Sequence, residues 1–205
     1  MRVISIEEFL NNIQFFKQEA LNKKIFIYPT DTIYGIGGLF PTTLEQIYTT
    51  KKRPFWKPVS VIIPSLKFVA KLPVDFSKLG EVDNVDKLVS RLSTLLSTYW
   101  KQSQGVTFVL PLRHPLRDVK FEQAYNLSLG VRVLNHPIQR FFGDLDEMFV
   151  TTSANLAGQP VIKAVGDIPF ALKSHIDWII DWGELQGSPS VILDAQKDFE
   201  PILRT

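Results

Sequence analysis

Apolar residues near the start of the chain recur at helical spacing: Ile6, Phe9, Leu10, Ile13 and Phe16 share one side. Ser5-Ile-Glu-Glu8 forms a capping box ahead of them, so one helix is predicted from Ser5 onward. The period then shortens. Residues 24–29 (KIFIYP) read as a buried strand running into the loop 30–38 (TDTIYGIGG). A second capping box, Thr43-Leu-Glu-Gln46, predicts a short helix ending near Lys51-Lys52-Arg53-Pro54. Residues 58–64 (PVSVIIP) read as a strand bracketed by prolines, and 65–72 as a short helix. A long helix over about 86–100 buries Leu88, Val89, Leu92, Leu95, Leu96 and Tyr99. Strands are predicted at 106–112, 130–134, 148–152, 177–181 and 190–194, with helices at 137–143 and 168–173. There is no strict βαβ rhythm, no Gly/Ser-rich linker and no internal repeat. The expectation is one α/β domain over residues 1–205, a twisted mixed sheet with flanking helices.

Composition narrows the chemistry. The 205 residues are 45% hydrophobic and 21% charged, with 15 Phe and 4 Trp, which excludes a disordered or collagen-like chain. With no cysteine, disulfides, thiolate zinc sites and cysteine nucleophiles are ruled out. The histidines His114, His136 and His175 are scattered without an HExxH, so no metal site is expected from them. No apolar run approaches the roughly 18 residues of a membrane span. Two glutamates lie where a signal peptide would be apolar, so a cytoplasmic protein without a membrane partner is expected. Net charge is only +2, but residues 141–205 hold 4 basic against 10 acidic side chains, while residues 1–140 hold 19 against 11. That basic excess suits an anionic ligand or nucleic acid, and equally a solvated basic face.

Phosphate signatures of the GxxxxGK[ST] and GxGxxG types are absent, as is the GxSxG elbow. Four segments instead place polar residues beside apolar strands, where open α/β sheets bind ligands. Pro29-Thr-Asp-Thr-Ile-Tyr-Gly35 is the first; its plain structural reading is a turn capped by Asp31. In Lys51-Lys-Arg-Pro-Phe-Trp-Lys-Pro58, Arg53 and Lys57 could hold a triphosphate, or the cations could form a solvated, RNA-facing patch. In Leu129-Gly-Val-Arg-Val-Leu-Asn-His-Pro137, Arg132 sits within an apolar strand, which calls for an anionic partner: a ligand or an internal ion pair. His136, before Pro137, reads as a cap or packing residue rather than a base. Val150-Thr-Thr-Ser-Ala-Asn-Leu-Ala-Gly158 offers hydroxyls and an amide after a strand, for a ligand or for a simple turn.

Taken in order, YPTDTIYGIGG, KKRPFWKP, GVRVLNHP and TTSANLAG resemble the YrdC-like family, the threonylcarbamoyl-AMP synthases. Lys51-Lys-Arg53 matches its KxR motif and Ser153-Ala-Asn155 its SxN motif, over nearly the whole chain. The resemblance implies a twisted α/β sheet around a basic cavity. It also implies ATP-dependent condensation of L-threonine with bicarbonate to L-threonylcarbamoyladenylate and pyrophosphate. Partner proteins would then transfer the threonylcarbamoyl group to tRNA, and direct binding of tRNA or double-stranded RNA is a further expectation. By similarity, Thr30, Arg132, Thr151 and Ser190 are the threonine side, with Arg132 on the carboxylate. Arg53, Lys57, Ser128, Ser153, Asn155 and Arg204 are the ATP side, and Lys51, Arg53 and Lys57 the catalytic cations. Mg²⁺ would accompany ATP, held mainly by phosphates and water, with no dedicated carboxylate cage.

Two positions depart from the pattern. Ile62 stands where many relatives have a histidine, and Trp100–Thr107 lacks the prolines of the corresponding Trp-Pro-Gly-Pro-Leu-Thr stretch. The resemblance leads us to expect the short form, without the extra C-terminal domain of many relatives. Two other readings compete: an RNA-binding paralogue that makes no adenylate, and a carbamoyl-handling relative. Retention of both KxR and SxN favours the synthase.

Overall fold

The computed structural model describes residues 1–116 and 127–202. In chain order the elements are β1 (Arg2–Ser5), α1 (Ile6–Asn11), α2 (Ile13–Leu21), β2 (Phe26–Tyr28), β3 (Gly35–Gly37), α3 (Leu44–Thr50) and β4 (Ser60–Ile62). There follow α4 (Val85–Lys101), β5 (Val106–Pro111), β6 (Ser128–Arg132), α5 (Gln139–Leu145), β7 (Phe149–Ser153), α6 (Phe170–Lys173), β8 (Trp178–Asp181), β9 (Val191–Asp194) and β10 (Glu200–Pro201). The strands form one mixed sheet in the order β1-β8-β2-β3-β7-β4-β6-β5-β9-β10. The predicted α/β class with a mixed sheet is what the chain adopts.

Period-2 alternation sorts β2, β4, β7 and β8 between two cores. Ile27, Val61, Val131, Val150 and Ile179 face a core shared with Ile47 of α3 and Leu88, Leu92 and Leu96 of α4. Phe26, Tyr28, Ile62, Phe149, Trp178 and Ile180 face the other way, onto an aromatic core with Phe9, Phe16, Phe141 and Phe142 of α1, α2 and α5. Within it Phe149 lies 5.2 Å from Phe142 and 5.9 Å from Phe141, ring centre to ring centre.

Several local expectations need correction. The N-terminal helix is two helices: Asn12, at φ −119° and ψ 29°, leaves helical geometry between α1 and α2. The first capping box holds in part, since Ser5 Oγ accepts the Glu8 amide at 3.1 Å. The second does not form. Thr43 Oγ1 donates to the Leu39 carbonyl at 2.9 Å instead, an acceptor that also takes the Thr43 amide and the Thr42 hydroxyl. Residues 66–71 wind as a 3₁₀ helix. The short strands β1, β3 and β10 were not predicted, and β3 turns the expected 30–38 loop into a hairpin on β2.

Candidate functional site

The aromatic core covers only part of its face of the sheet. Further along the same strands the residues turn polar: Ser60 lies two positions before Ile62, and Thr151 and Ser153 follow Phe149. Register aligns the small ones, with Ser60 beside both Gly130 and Thr151, and Gly35 beside Ser153. A Cβ at Gly130 would stand 2.6 Å from Ser60 Oγ, so this glycine keeps the floor open. The result is a cavity of about 170 Å³, partly open to solvent. Its lining includes Thr30, Thr32, Arg53, Ser60, Thr107, Arg132, Thr151, Ser153 and Ser190. Ile62, on the same face, lies fully buried in the aromatic core, just beyond the cavity.

One wall comes from far away in the chain. Residues 182–190 run without regular structure from β8, the second strand of the sheet, to β9, the ninth. Gly187 lies so close to Thr32 that an added Cβ would meet the Thr32 carbonyl oxygen and Cα. Further on, Ser190 Oγ is 2.9 Å from Thr107 Oγ1, which ties this segment to β5.

The hydroxyls are held rather than loose. Thr30 Oγ1 accepts the Thr32 amide at 3.1 Å and donates to the Ile33 carbonyl at 2.7 Å. Thr30, not Asp31, therefore caps this turn. Thr151 Oγ1 accepts from Tyr28 Oη at 2.8 Å. Burial raises the Tyr28 pKa well above the usual phenol range, keeping it a neutral donor. Asp31 has another task. Its Oδ1 takes Arg132 Nη2 at 2.7 Å, both side chains being at most 10% exposed, and its Oδ2 accepts the Asn135 amide at 3.2 Å. The internal ion pair left open for Arg132 is thus present, and Arg132 lines the cavity as well. Its Nε is buried with no hydrogen-bond partner among the described residues.

Arg53 and Arg132 are the two cations of the described lining. Arg53 reaches the cavity while its guanidinium holds the carbonyls of Lys57 (3.3 Å) and Pro58 (2.7 Å). Since Arg132 is already matched by Asp31, the lining is hydroxyl-rich and polar rather than strongly basic. No carboxylate is among the described lining residues.

The remaining predicted residues lie around this centre. Lys51 is 1% exposed; its Nζ donates to the carbonyls of Ser153 and Asn155, the latter at 2.7 Å. Burial, then the charge of Arg53, lowers its pKa to about 7. Lys51 therefore stands behind the cavity, not in its lining. Asn155, half-buried, is outside the described lining too, with Oδ1 accepting from Ser153 Oγ at 2.5 Å and Nδ2 donating to the Gln159 carbonyl. Lys57 is exposed, its Nζ 5.3 Å from the centre of the Trp56 ring, outside the lining. Ser128, half-buried at the start of β6 beside Pro111, is also outside it. Arg204 lies outside the described residues. His136 is a packing residue: its Nδ1 accepts the Ile138 amide at 3.2 Å and its ring meets Trp182 edge-on at 4.6 Å. Sequence reasoning misses Asp31, Thr32 and Ser60 as site residues, together with Gly187 and Gly105, where an added Cβ would stand 2.5 Å from Thr32 Cγ2.

Comparison with known proteins bears on the family and the fold. A family model for Sua5, YciO and YrdC, described as "Telomere recombination", matches residues 19–205. The chain belongs to the Sua5/YciO/YrdC family. A Photobacterium profundum member named threonylcarbamoyl-AMP synthase is 27% identical over 197 residues, covering 92% of this chain and 97% of its own. A second, from Vibrio vulnificus and of the same name, is 26% identical over 195 residues, 92% of this chain and 96% of its own. Among solved structures, P. abyssi Sua5 complexed with L-threonine superposes with a TM-score of 0.74 at 22% identity, over 95% of this chain. This chain spans about half of that longer one (54%). Members of the Sua5/YciO/YrdC family thus share the fold, and relatives close to this chain's length carry the synthase name.

Proposed function

We propose that the chain is a threonylcarbamoyl-AMP synthase, condensing L-threonine, bicarbonate and ATP to L-threonylcarbamoyladenylate and pyrophosphate for tRNA threonylcarbamoyladenosine formation. The observation that carries this reading is the cavity: Arg132, with an unpartnered buried Nε, among the hydroxyls of Thr30, Thr32, Thr151 and Ser190. At about 170 Å³ it suits an amino acid. It is smaller than the roughly 300–1,000 Å³ usual for drug-sized ligands, so a nucleotide would extend across the open side.

In this reading Arg132 takes the threonine carboxylate, and the hydroxyls receive its ammonium and side chain. Threonine nitrogen and bicarbonate form the carbamate with loss of water. A carbamate oxygen then attacks the α-phosphorus, and the bond to the β-phosphate oxygen breaks, releasing pyrophosphate. No protein nucleophile is needed; the chain positions the reactants and offsets phosphate charge. Arg53 at the rim and Lys57 beyond it supply that charge, with Ser153 as a neutral donor. Mg²⁺ bound to ATP would neutralise phosphate charge, and the described lining offers it hydroxyl oxygens rather than a carboxylate cage. The exposed Phe55 and Trp56, beside Lys57, form a surface suited to tRNA or to the proteins that receive the adenylate.

The test is incubation of purified protein with ATP, Mg²⁺, bicarbonate and L-threonine, with mass spectrometry of the products. Adenylate that requires both threonine and bicarbonate supports the reading; none from folded, ATP-binding protein overturns it in favour of an RNA-binding paralogue. Ser153→Ala and Lys57→Ala are expected to abolish product without unfolding the chain. Arg132→Ala should raise KM for threonine far more than KM for ATP.

A further inference from the structure

The Asp31–Arg132 pair raises a question of selectivity. A buried guanidinium facing a cavity that also receives phosphates would attract any anion if its charge were unmatched. Here one end of the group is fixed from behind. Nη2 is shared between Asp31 Oδ1 at 2.7 Å and Thr32 Oγ1 at 3.4 Å, and Asp31 is itself anchored by the Asn135 amide. Asp31 is not among the residues lining the cavity, so it acts through Arg132 and does not reach a ligand. Gly105 leaves room for the arrangement. A Cβ there would stand 3.1 Å from Arg132 Nη2, 3.2 Å from Asp31 Oδ1 and 2.5 Å from Thr32 Cγ2.

We propose that Asp31 is a positioning and selectivity residue: by orienting Arg132 and cancelling its charge, it makes the amino-acid subsite accept a small monocarboxylate and refuse phosphate. Arg53, whose guanidinium is held only by carbonyls among the described contacts, keeps its positive charge for the phosphates. The threonine carboxylate and the ATP phosphates are thereby sorted to two arginines. This inference rests on the proposed synthase reading.

The test is calorimetric titration of the folded protein with L-threonine, with and without inorganic phosphate. Wild-type protein should bind threonine, with an affinity that millimolar phosphate leaves unchanged. If wild type binds no threonine, the synthase reading fails before Asp31 is reached. Asp31→Asn should weaken threonine binding by roughly 10–100-fold, the effect of one hydrogen bond to a charged group. It should also make the remaining binding compete with phosphate. Asp31→Glu, which restores the charge at the wrong length, should weaken threonine binding without phosphate competition. Gly105→Ala displaces the pair and leaves all charges in place. It should do the same, and it keeps the question answerable if Asp31→Asn does not fold. Unchanged threonine affinity in folded Asp31→Asn or Gly105→Ala protein, or phosphate competition already in wild type, would overturn the proposal.

Discussion

Lys51 is almost wholly buried, yet no carboxylate among the described residues answers its charge. Oxygen acceptors of the 153–155 turn do, so the lysine is a strut between the end of α3 and the end of β7. Lys51→Met should lower stability by about 1–3 kcal/mol in urea denaturation, because buried carbonyls lose their donor. It should also weaken whatever Ser153 binds. His136 gives a pH dependence of definite sign. Burial lowers its pKa from 6.5 to about 4, against the opposing pull of Asp31. Between those values the unfolded chain binds the proton and the folded chain does not. This contribution to stability is therefore full above about pH 6.5 and lost as pH falls toward 4. His136→Asn keeps an acceptor for the Ile138 amide but cannot titrate. Its Tm should fall less than that of wild type between pH 7 and pH 4.5, and equal falls would remove His136 from the account. At this scale the sequence was half informative. Arg132 stood out as a cation inside an apolar strand, but its partner Asp31 lies 101 residues away, and no local pattern links the two.

Elements were legible in proportion to their length. The long α4 was predicted to within a residue at each end, since five turns of apolar periodicity leave no ambiguity. By contrast β3 is Gly-Ile-Gly, three residues with no period to detect, and it exists because β2 and β7 flank it. The two capping boxes look alike in sequence and differ in the structure. Ser5→Ala should cost about 1 kcal/mol of stability, as expected for a cap whose side-chain oxygen is in use. Thr43→Ala should instead act through the lost Leu39 contact and a small buried void. On the sheet, Gly130→Ala should push Ser60 into the cavity and weaken ligand binding more than it weakens the fold; a stability loss with unchanged binding would contradict that.

Neighbouring strands in the whole sheet are mostly distant in sequence: β1 pairs with β8, β3 with β7, β5 with β9. The two cores share this one sheet, so neither has a complete wall without the other. One cooperative unfolding transition is expected, coincident by tryptophan fluorescence and far-UV circular dichroism. Two separated transitions would show that the cores melt independently. The α/β class followed from the alternation of patterns, whereas the strand order did not, because pairing across the sheet depends on contacts that no short window contains. The segment 182–190 sets a further condition. As the chain leaves the ribosome, β2 to β7 can all emerge while the cavity still lacks the wall carrying Ser190. Binding competence is therefore acquired only once synthesis has passed β9, so a truncated or still-growing chain would neither hold nor sequester its small-molecule substrate.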